Sequence, residues 1–256
     1  MIRCKMQRWL YGVGLLALAL LLWLVGGGTP RLLSQQEQPK LELTIMSSDL
    51  QGQKQRFLVG EPIQLRLTLH NVSKEPQTGT FSLQFRAATL HVFIAKERDA
   101  FTLYMPQSLR IASRADIVHT LITLQPGEKL EEIEFVSFDV NANDFAMPTV
   151  GHYQLKAVHF FAIPDLSKTV ESNVIAVEVV EPEGKDKEAL QFIVDNKFKP
   201  FLTPEAGSFR VENETVVQLK AFVEEKFPDS TYAPYVKLGL EAICKTQRER
   251  LPACQK

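Results

Sequence analysis

Gly60-Glu61-Pro62-Ile63-Gln64-Leu65-Arg66-Leu67-Thr68-Leu69-His70-Asn71 is the stretch that decides the fold. Ile63, Leu65, Leu67 and Leu69 are apolar, and Gln64, Arg66, Thr68 and His70 alternate with them. A period of two sends the two sets to opposite sides of an extended chain. The stretch therefore predicts a strand with one buried and one wet face. Gly60 and Pro62 open it, and the turn formers from Asn71 to Pro76 close it.

The same period recurs on both sides. Leu41, Leu43 and Ile45 alternate with Glu42 and Thr44, and Phe81, Leu83 and Phe85 alternate with Ser82 and Gln84. Further strands are predicted near 89–95, 116–124, 130–140, 150–161 and 172–181, with a turn at Gln125-Pro126-Gly127-Glu128. Nothing carries a helical period until about residue 184, so an antiparallel sheet protein is expected up to there. Beyond Pro182 and Gly184 the period changes. A short helix is predicted over 186–195, and another over 212–227, where Val216, Leu219, Phe222, Val223 and Phe227 share a stripe. Pro228 ends that helix, and Asp229 or Ser230 is placed to cap the next. The next one carries Tyr232, Tyr235, Val236, Gly239, Ala242 and Ile243 on one face.

Gly60 to Asn71 resembles the second-strand signature of Ig-like sandwiches in bacterial envelope proteins. Gly151-His152-Tyr153-Gln154-Leu155-Lys156-Ala157 is similar to their tyrosine-corner strand, with Tyr153 two residues ahead of Leu155, where antibody-type domains carry a cysteine. Ser172 to Val179 resembles their closing strand. Phe227-Pro228-Asp229-Ser230-Thr231-Tyr232-Ala233-Pro234-Tyr235 is similar to the interhelical turn of tetratricopeptide-like repeats. The resemblance implies a mainly β fold with α: an Ig-like antiparallel β-sandwich over 40–182 and a helical hairpin over 183–256. It implies a structural role for Tyr153, and no particular activity.

Ahead of the sandwich, Arg3, Lys5 and Arg8 precede an uncharged apolar run of 17 residues, Trp9 to Val25. Basic residues before such a run keep the N-terminus in the cytoplasm and send the rest across the membrane. Residues 1–28 are thus expected to be an apolar helix, serving as a membrane anchor or a cleaved signal peptide, with 29–39 as a linker. Trp9, Tyr11 and Trp23 near the ends suit an anchor; Val25 and Gly27 are small enough for a cleavage site. The bulk of the chain is expected outside the cytoplasm. Cys244 and Cys254 are then a pair in an oxidising compartment, and a disulfide is the expectation, with two free thiols as the alternative. Cys4 falls on the cytoplasmic side or in the removed peptide.

The formal net charge is −1. Nucleic-acid binders carry a basic excess, so none is expected here. No Gly-x-Ser-x-Gly elbow, phosphate loop or His-Glu-x-x-His run occurs. His70, His91, His119, His152 and His159 form no ligand pair, and each is expected to be a surface or fully satisfied histidine. Asp139-Val140-Asn141-Ala142-Asn143-Asp144 has oxygens at alternate places like a calcium loop. It lacks the sixth-place glycine, and Val150 stands at the twelfth, so an Asx-rich turn is the better reading. Glu131, Glu132 and Glu134 read as a solvated strand edge. Asn71-Val72-Ser73 and Asn213-Glu214-Thr215 match the short glycosylation sequon. No catalytic, cofactor or metal residue is expected.

These features point to a non-enzymatic envelope or extracellular module that binds a protein partner. One alternative is an Ig-like protease inhibitor or hydrolase-associated regulator presenting the loop 97–115 with Tyr104-Met105-Pro106. A hydrolase accessory or catalytic domain, which a cleft with clustered carboxylates would mark, is the other.

Overall fold

Residues 40–106, 121–161 and 168–255 are described by the computed structural model. Among them the strands are β1 (Leu41–Ser48), β2 (Arg56–Leu58), β3 (Ile63–Asn71), β4 (Gln77–Gly79), β5 (Leu90–Lys96), β6 (Thr102–Leu103), β7 (Ile122–Leu124), β8 (Lys129–Val136), β9 (Phe138–Asp139), β10 (Asp144–Phe145), β11 (Gly151–Phe160), β12 (Thr169–Glu171) and β13 (Ile175–Val180). Three α-helices follow: α1 (Gly184–Asp195), α2 (Asn213–Ala221) and α3 (Ala233–Gln247). The apolar segment 1–28, the linker 29–39 and the first part of the expected strand 116–124 lie outside the described residues. No described helix is long and apolar enough to cross a membrane.

The protein is mixed β and α, with mostly antiparallel sheets. Of the two larger sheets one has the order β1-β3-β8 and the other β2-β13-β11-β5-β6, with β12 also paired to β11; β4–β7 and β9–β10 form two-stranded sheets. The pair β13–β2 is parallel, with Glu178 opposite Arg56. The inward faces of both sheets fill one core. Ile63, Leu65, Leu67 and Leu69 are 0% exposed, as the period of two requires, and they meet Val92, Leu155, Ala157 and Val177. Truncating one of these leucines to alanine removes buried methylenes and leaves a cavity, costing about 2–5 kcal/mol.

Both ends of β3 are locked by buried polar groups. At its start, Glu61 is 5% exposed, and its carboxylate accepts the Leu58 N–H at 2.8 Å and pairs with Lys54. At its end, the Asn71 amide donates to the Glu75 and Leu124 carbonyls, both at 2.9 Å, while its oxygen accepts from Ser73. The Asn71 backbone also exchanges hydrogen bonds with Glu128 and Gly127. That last contact fixes where β8 begins, and hence its register.

The register of β8 inverts the reading of its acidic run. Glu134 sits opposite Leu65 and Glu132 opposite Leu67. Residues paired across an antiparallel ladder share a face, so these two carboxylates turn inward while Ile133 stays 46% exposed. The expected solvated edge holds for Glu131 alone. A second expectation also fails locally. Phe81, Leu83 and Phe85 are buried at alternate positions, but the segment is extended chain leading into a 3-10 turn, not a paired strand. Alternation reports burial on an extended backbone; it does not report a hydrogen-bonded neighbour.

The helices form a second core around Ile193, Phe198, Leu202, Val216, Phe222, Tyr232 and Ile243. The expected helix 212–227 stops at Ala221 and continues as a π-helical turn, Phe222–Lys226, closed by Phe227 N–H to Phe222 O. Neither Asp229 nor Ser230 caps α3: Ser230 donates its hydroxyl back to Phe227 O, and Asp229 faces Lys185. The face of α3 carrying Gly239 lies against residues 199–208, not against α2; a Cβ on Gly239 would overlap Phe201 O. That short irregular segment has no period, so the sequence offered no sign of it. Cys244 and Cys254 are joined in a disulfide with an S–S distance of 2.02 Å, closing the chain after α3.

Tyr153 is 4% exposed on β11 and donates its hydroxyl to Thr149 O at 2.8 Å. Tyr153→Phe should cost about 1 kcal/mol, the usual worth of one buried hydrogen bond, measured by urea denaturation. Tyr232 is fully buried and donates to Val59 O at 2.6 Å. Tyr232→Phe should cost more, about 1–3 kcal/mol, because it strands a buried carbonyl. The second core also needs Phe145, with Leu58 and Phe135 against it, all from the β region. An isolated 184–256 fragment should therefore show no cooperative thermal transition by circular dichroism; a sharp two-state melt would refute this dependence.

Candidate functional site

The two cores meet at Val59-Gly60-Glu61. Val59 offers its carbonyl to Tyr232. Gly60 holds φ +77°, and a Cβ there would lie 2.8 Å from Phe145 Cζ and 3.1 Å from Leu190 Cδ1. Only glycine supplies both that backbone and that clearance. Glu61, next in the chain, then points along the seam. Burial raises its carboxyl pKa, against the pull of Lys54 and the Leu58 amide.

Two adjoining clefts open beside Glu61. One, of 570 Å³, is bounded by Arg56 and Leu58 on the β side and by Glu181, Glu183 and Asp186 on the other. The second, of 430 Å³, runs under Asp49 and Leu50 toward Pro234 and Tyr235. Lys54, Glu61 and Thr231 line both. Lys54 bridges Glu61 and Asp49 and lies 5.1 Å from the Phe57 ring centre. Across the seam, Asp186 accepts the Thr231 N–H at 2.7 Å and the Thr231 hydroxyl at 2.8 Å, tying α1 to the turn before α3. Both Glu61 oxygens are committed, one to Lys54 and one to the Leu58 amide. The arrangement thus presents a polar cleft with charges of both signs.

The other residues singled out by sequence are dispersed. Tyr153 and the Cys244–Cys254 bridge are structural and sit apart from this seam in the chain's own hydrogen-bond network. Asp139 accepts N–H groups from Asn141 and Ala142, an Asx turn, while Asp144 pairs with Lys199 at 2.6 Å. No group of three or more His, Cys, Asp or Glu able to hold a metal occurs among the described residues. His152 is exposed; His91 is half-buried and stacks on Phe160 at 4.8 Å, with burial lowering its pKa. His70 is half-buried and His119 lies outside the described residues. His159 departs from expectation: it is fully buried, and its Nε2 has no partner. Asn71 is fully buried with its amide engaged, so that sequon offers no accessible nitrogen; Asn213 is exposed and accepts the Ala253 N–H. Tyr104-Met105-Pro106 is not an exposed loop tip. Tyr104 is 3% exposed, accepting the Ser137 N–H and donating to Phe138 O, both at 3.2 Å. Residues 107–115 of that loop lie outside the described residues.

No single motif marked the cleft, because its walls come from three separate segments, 49–61, 180–186 and 228–235. Glu61 and Thr231 lie inside two of the four motifs that carried the family resemblance, and an acid after the strand-opening glycine was the one available signal. No protein-family model matches the chain, and no curated protein matches it. Among solved structures, alkylpurine DNA glycosylase AlkC from Pseudomonas fluorescens aligns at 12% identity and TM-score 0.31, over 55% of this chain and 30% of its own. Spo0M, a sporulation control protein from Bacillus subtilis, aligns at 13% identity and TM-score 0.32, over 62% and 56%. The CARDB domain of PF1109 from Pyrococcus furiosus aligns at 14% identity and TM-score 0.30, over 56% and 89%. The chain thus spans less than a third of the glycosylase and little more than half of Spo0M.

The inward turn of Glu134 gives a separate consequence. Burial pushes its pKa up to about 8, and Glu205 and Glu132 push the same way; the Phe85 amide and Arg86 pull back. A folded pKa above the ordinary 4.5 stabilises the fold fully below pH 4.5, and that stability is lost as pH rises through 8. His159, with its pKa lowered to about 4 from 6.5, works oppositely, and its stabilisation is lost as pH falls through 6.5 toward 4. From about pH 4.5 to 6.5 the two slopes cancel. From 6.5 to 8 only the Glu134 slope remains, at about 1.4 kcal/mol per pH unit at most. Glu134→Gln should abolish this decline in urea denaturations at pH 6.5 and 8; an unchanged decline would mean that Glu134 is ionised in the folded protein.

Proposed function

We propose that this chain is a non-enzymatic envelope or extracellular interaction module. In this reading the β region is an Ig-like sandwich, and the helical region is a tetratricopeptide-like hairpin docked on its end. Residues 1–28 anchor the chain or are removed on export. Two antiparallel sheets around one core and the Tyr153 hydroxyl on Thr149 O support the sandwich assignment. The Cys244–Cys254 bridge supports an oxidising compartment.

The observation that carries the function is the cleft itself. Its walls come from both regions, fixed to one another by the Tyr232 bond to Val59 and by Phe145 and Leu190 over Gly60. A hairpin whose apolar stripe is already buried cannot use that stripe to grip a partner. What remains for recognition is the polar seam, rigid before any partner arrives, so little ordering entropy is lost on binding.

The test uses a photo-crosslinking residue placed in the intact envelope at Arg56, at Glu183 or, as a control, at the exposed Val217 on α2. The two cleft positions should trap the same single partner and Val217 should not. Identical adducts from all three positions, or none from the cleft, would refute the reading. A C-terminal reporter enzyme that works only outside the cytoplasm should be active, and deletion of residues 1–28 should silence it.

A further inference from the structure

We propose that His159 is an acid-operated latch, holding residues 79–82 against the end of β11 and releasing them when the ring takes up a proton. The ring is fully buried on the inward face of β11. Its Nδ1 lies 3.0 Å from Thr89 O. A carbonyl can only accept, so Nδ1 carries the proton and Nε2 presents a lone pair. That lone pair meets no hydrogen-bond partner.

The surroundings leave no way to accommodate a second proton. Across the ladders His159 faces Leu90 on β5 and Val170 on β12. The rings of Phe81 and Phe161 stand with centres 6.3 and 6.4 Å away. Among the described residues no ionisable side chain faces the imidazole from β5, from β12, from the 79–85 segment or from β11 itself. Lys156 and Glu171 pair with each other on the outward face, and His91 stacks on Phe160 there. Thr89 O is the one polar contact, and it also takes the Phe160 N–H at 2.8 Å. Protonation would place a charge among aromatic rings and an Nε2–H opposite no acceptor, both costly when buried. Burial accordingly holds the ring neutral, with its pKa lowered to about 4 despite the Thr89 carbonyl.

The part of the segment over the ring, residues 79–82, is held by few hydrogen bonds, whereas Leu83 and Phe85 beyond it are anchored in the main core. Thr80 N–H bonds to Phe161 O at 3.2 Å, and the Thr89 hydroxyl bonds to Ser82 O at 2.8 Å. Gly79 lies so close that a Cβ would approach Phe161 O at 2.7 Å. Phe81 is 1% exposed and screens the ring. Lifting residues 79–82 alone would break these contacts, leave Leu83 and Phe85 in the core, and open the ring to water, where its pKa returns to about 6.5. The closed form is favoured above pH 6.5, and the preference fades as pH falls from there toward 4. Local opening should rise roughly thirtyfold between pH 7.5 and 5.

Hydrogen exchange with mass spectrometry on the full chain in detergent tests this, after correcting for the intrinsic pH dependence of exchange. Amides of 80–82 and 160–161 should lose about thirtyfold in protection between pH 7.5 and 5. Those of Leu65 to Leu69 should not, and His159→Phe, which keeps a ring and removes the proton site, should flatten the response. The latch is refuted if the variant loses protection as the parent does. It is equally refuted if β3 opens in step, or if nothing opens. Should the variant fail to fold, ring nitrogen shifts of the parent decide. A neutral Nδ1–H tautomer at pH 6 that charges only as the segment opens upholds the latch, whereas titration near 6.5 with the segment closed overturns it.

Discussion

The rest of the structure depends on the hydrogen bond from Tyr232 to Val59 O and the glycine beside it. Tyr232 is buried in the helical core, yet its hydroxyl ends on the backbone of the β region. The carbonyl it reaches precedes Gly60, where Phe145 and Leu190 come too close for any side chain. One residue further, Glu61 opens the strand that centres its sheet. The same three residues therefore start β3, seat the helices and floor the cleft. A side chain at Gly60 would act on all three at once, since it would push Phe145 out of the second core.

The register of β8 shows what happens when two local preferences disagree. Its apolar residues, Ile133 and Phe135, ask for the opposite register, which would bury them and free Glu132 and Glu134. The turn at Asn71 and Gly127 sets the other one, with every polar group of Asn71 engaged. Turn geometry wins because a slip would strand those buried donors and acceptors. Part of the loss returns elsewhere. Phe135, turned outward, packs against the helical core, and Gln84 and the Phe85 amide meet the two inward carboxylates. The remaining cost is a proton that Glu134 holds near neutrality. His159 carries the opposite burden at the other sheet, so the fold combines a buried acid kept protonated with a buried base kept neutral. Their proton linkages oppose one another through mildly acidic pH.

The legible parts of the sequence were those with a period. β1, β3, β11 and the closing strand follow the alternation, and α1 and α3 follow the helical spacing, because one-sided burial imposes those periods directly. Tyr153 was legible through the family resemblance and not through any pattern of its own. The 199–208 segment was invisible, being a run of 3-10 turns around prolines that packs by shape against Gly239. The acidic run was misread because a charge pattern describes a face only when the register is known, and the register lay in a turn. The cleft could not be read at all. It is a property of how Leu58, Glu61, Asp186 and Thr231 converge, and these are brought together by the docking of two cores.

That docking explains why the disulfide sits where it does. Three short helices and a few 3-10 turns bury too little surface to offset their own ordering entropy. The helical region is held instead by ties at both ends. At one end is the seam, with Tyr232 and Phe145. At the other, Cys254 is bonded to Cys244 near the end of α3, and the chain beside it is pinned to α2. Lys220 donates to Ala253 O at 2.6 Å, and the Ala253 N–H donates to Asn213 Oδ1 at 2.8 Å. Closing so short a loop is worth about 2–3 kcal/mol by chain entropy. Reduction would free the last residues to leave Asn213 and Lys220, loosening α2 against α3 while the seam still holds α3 to the β region. The cleft is built on the seam side. Its walls should therefore keep their shape longer than the far end of the helical region, which makes the bridge a stabiliser of the scaffold and not a part of the recognition surface.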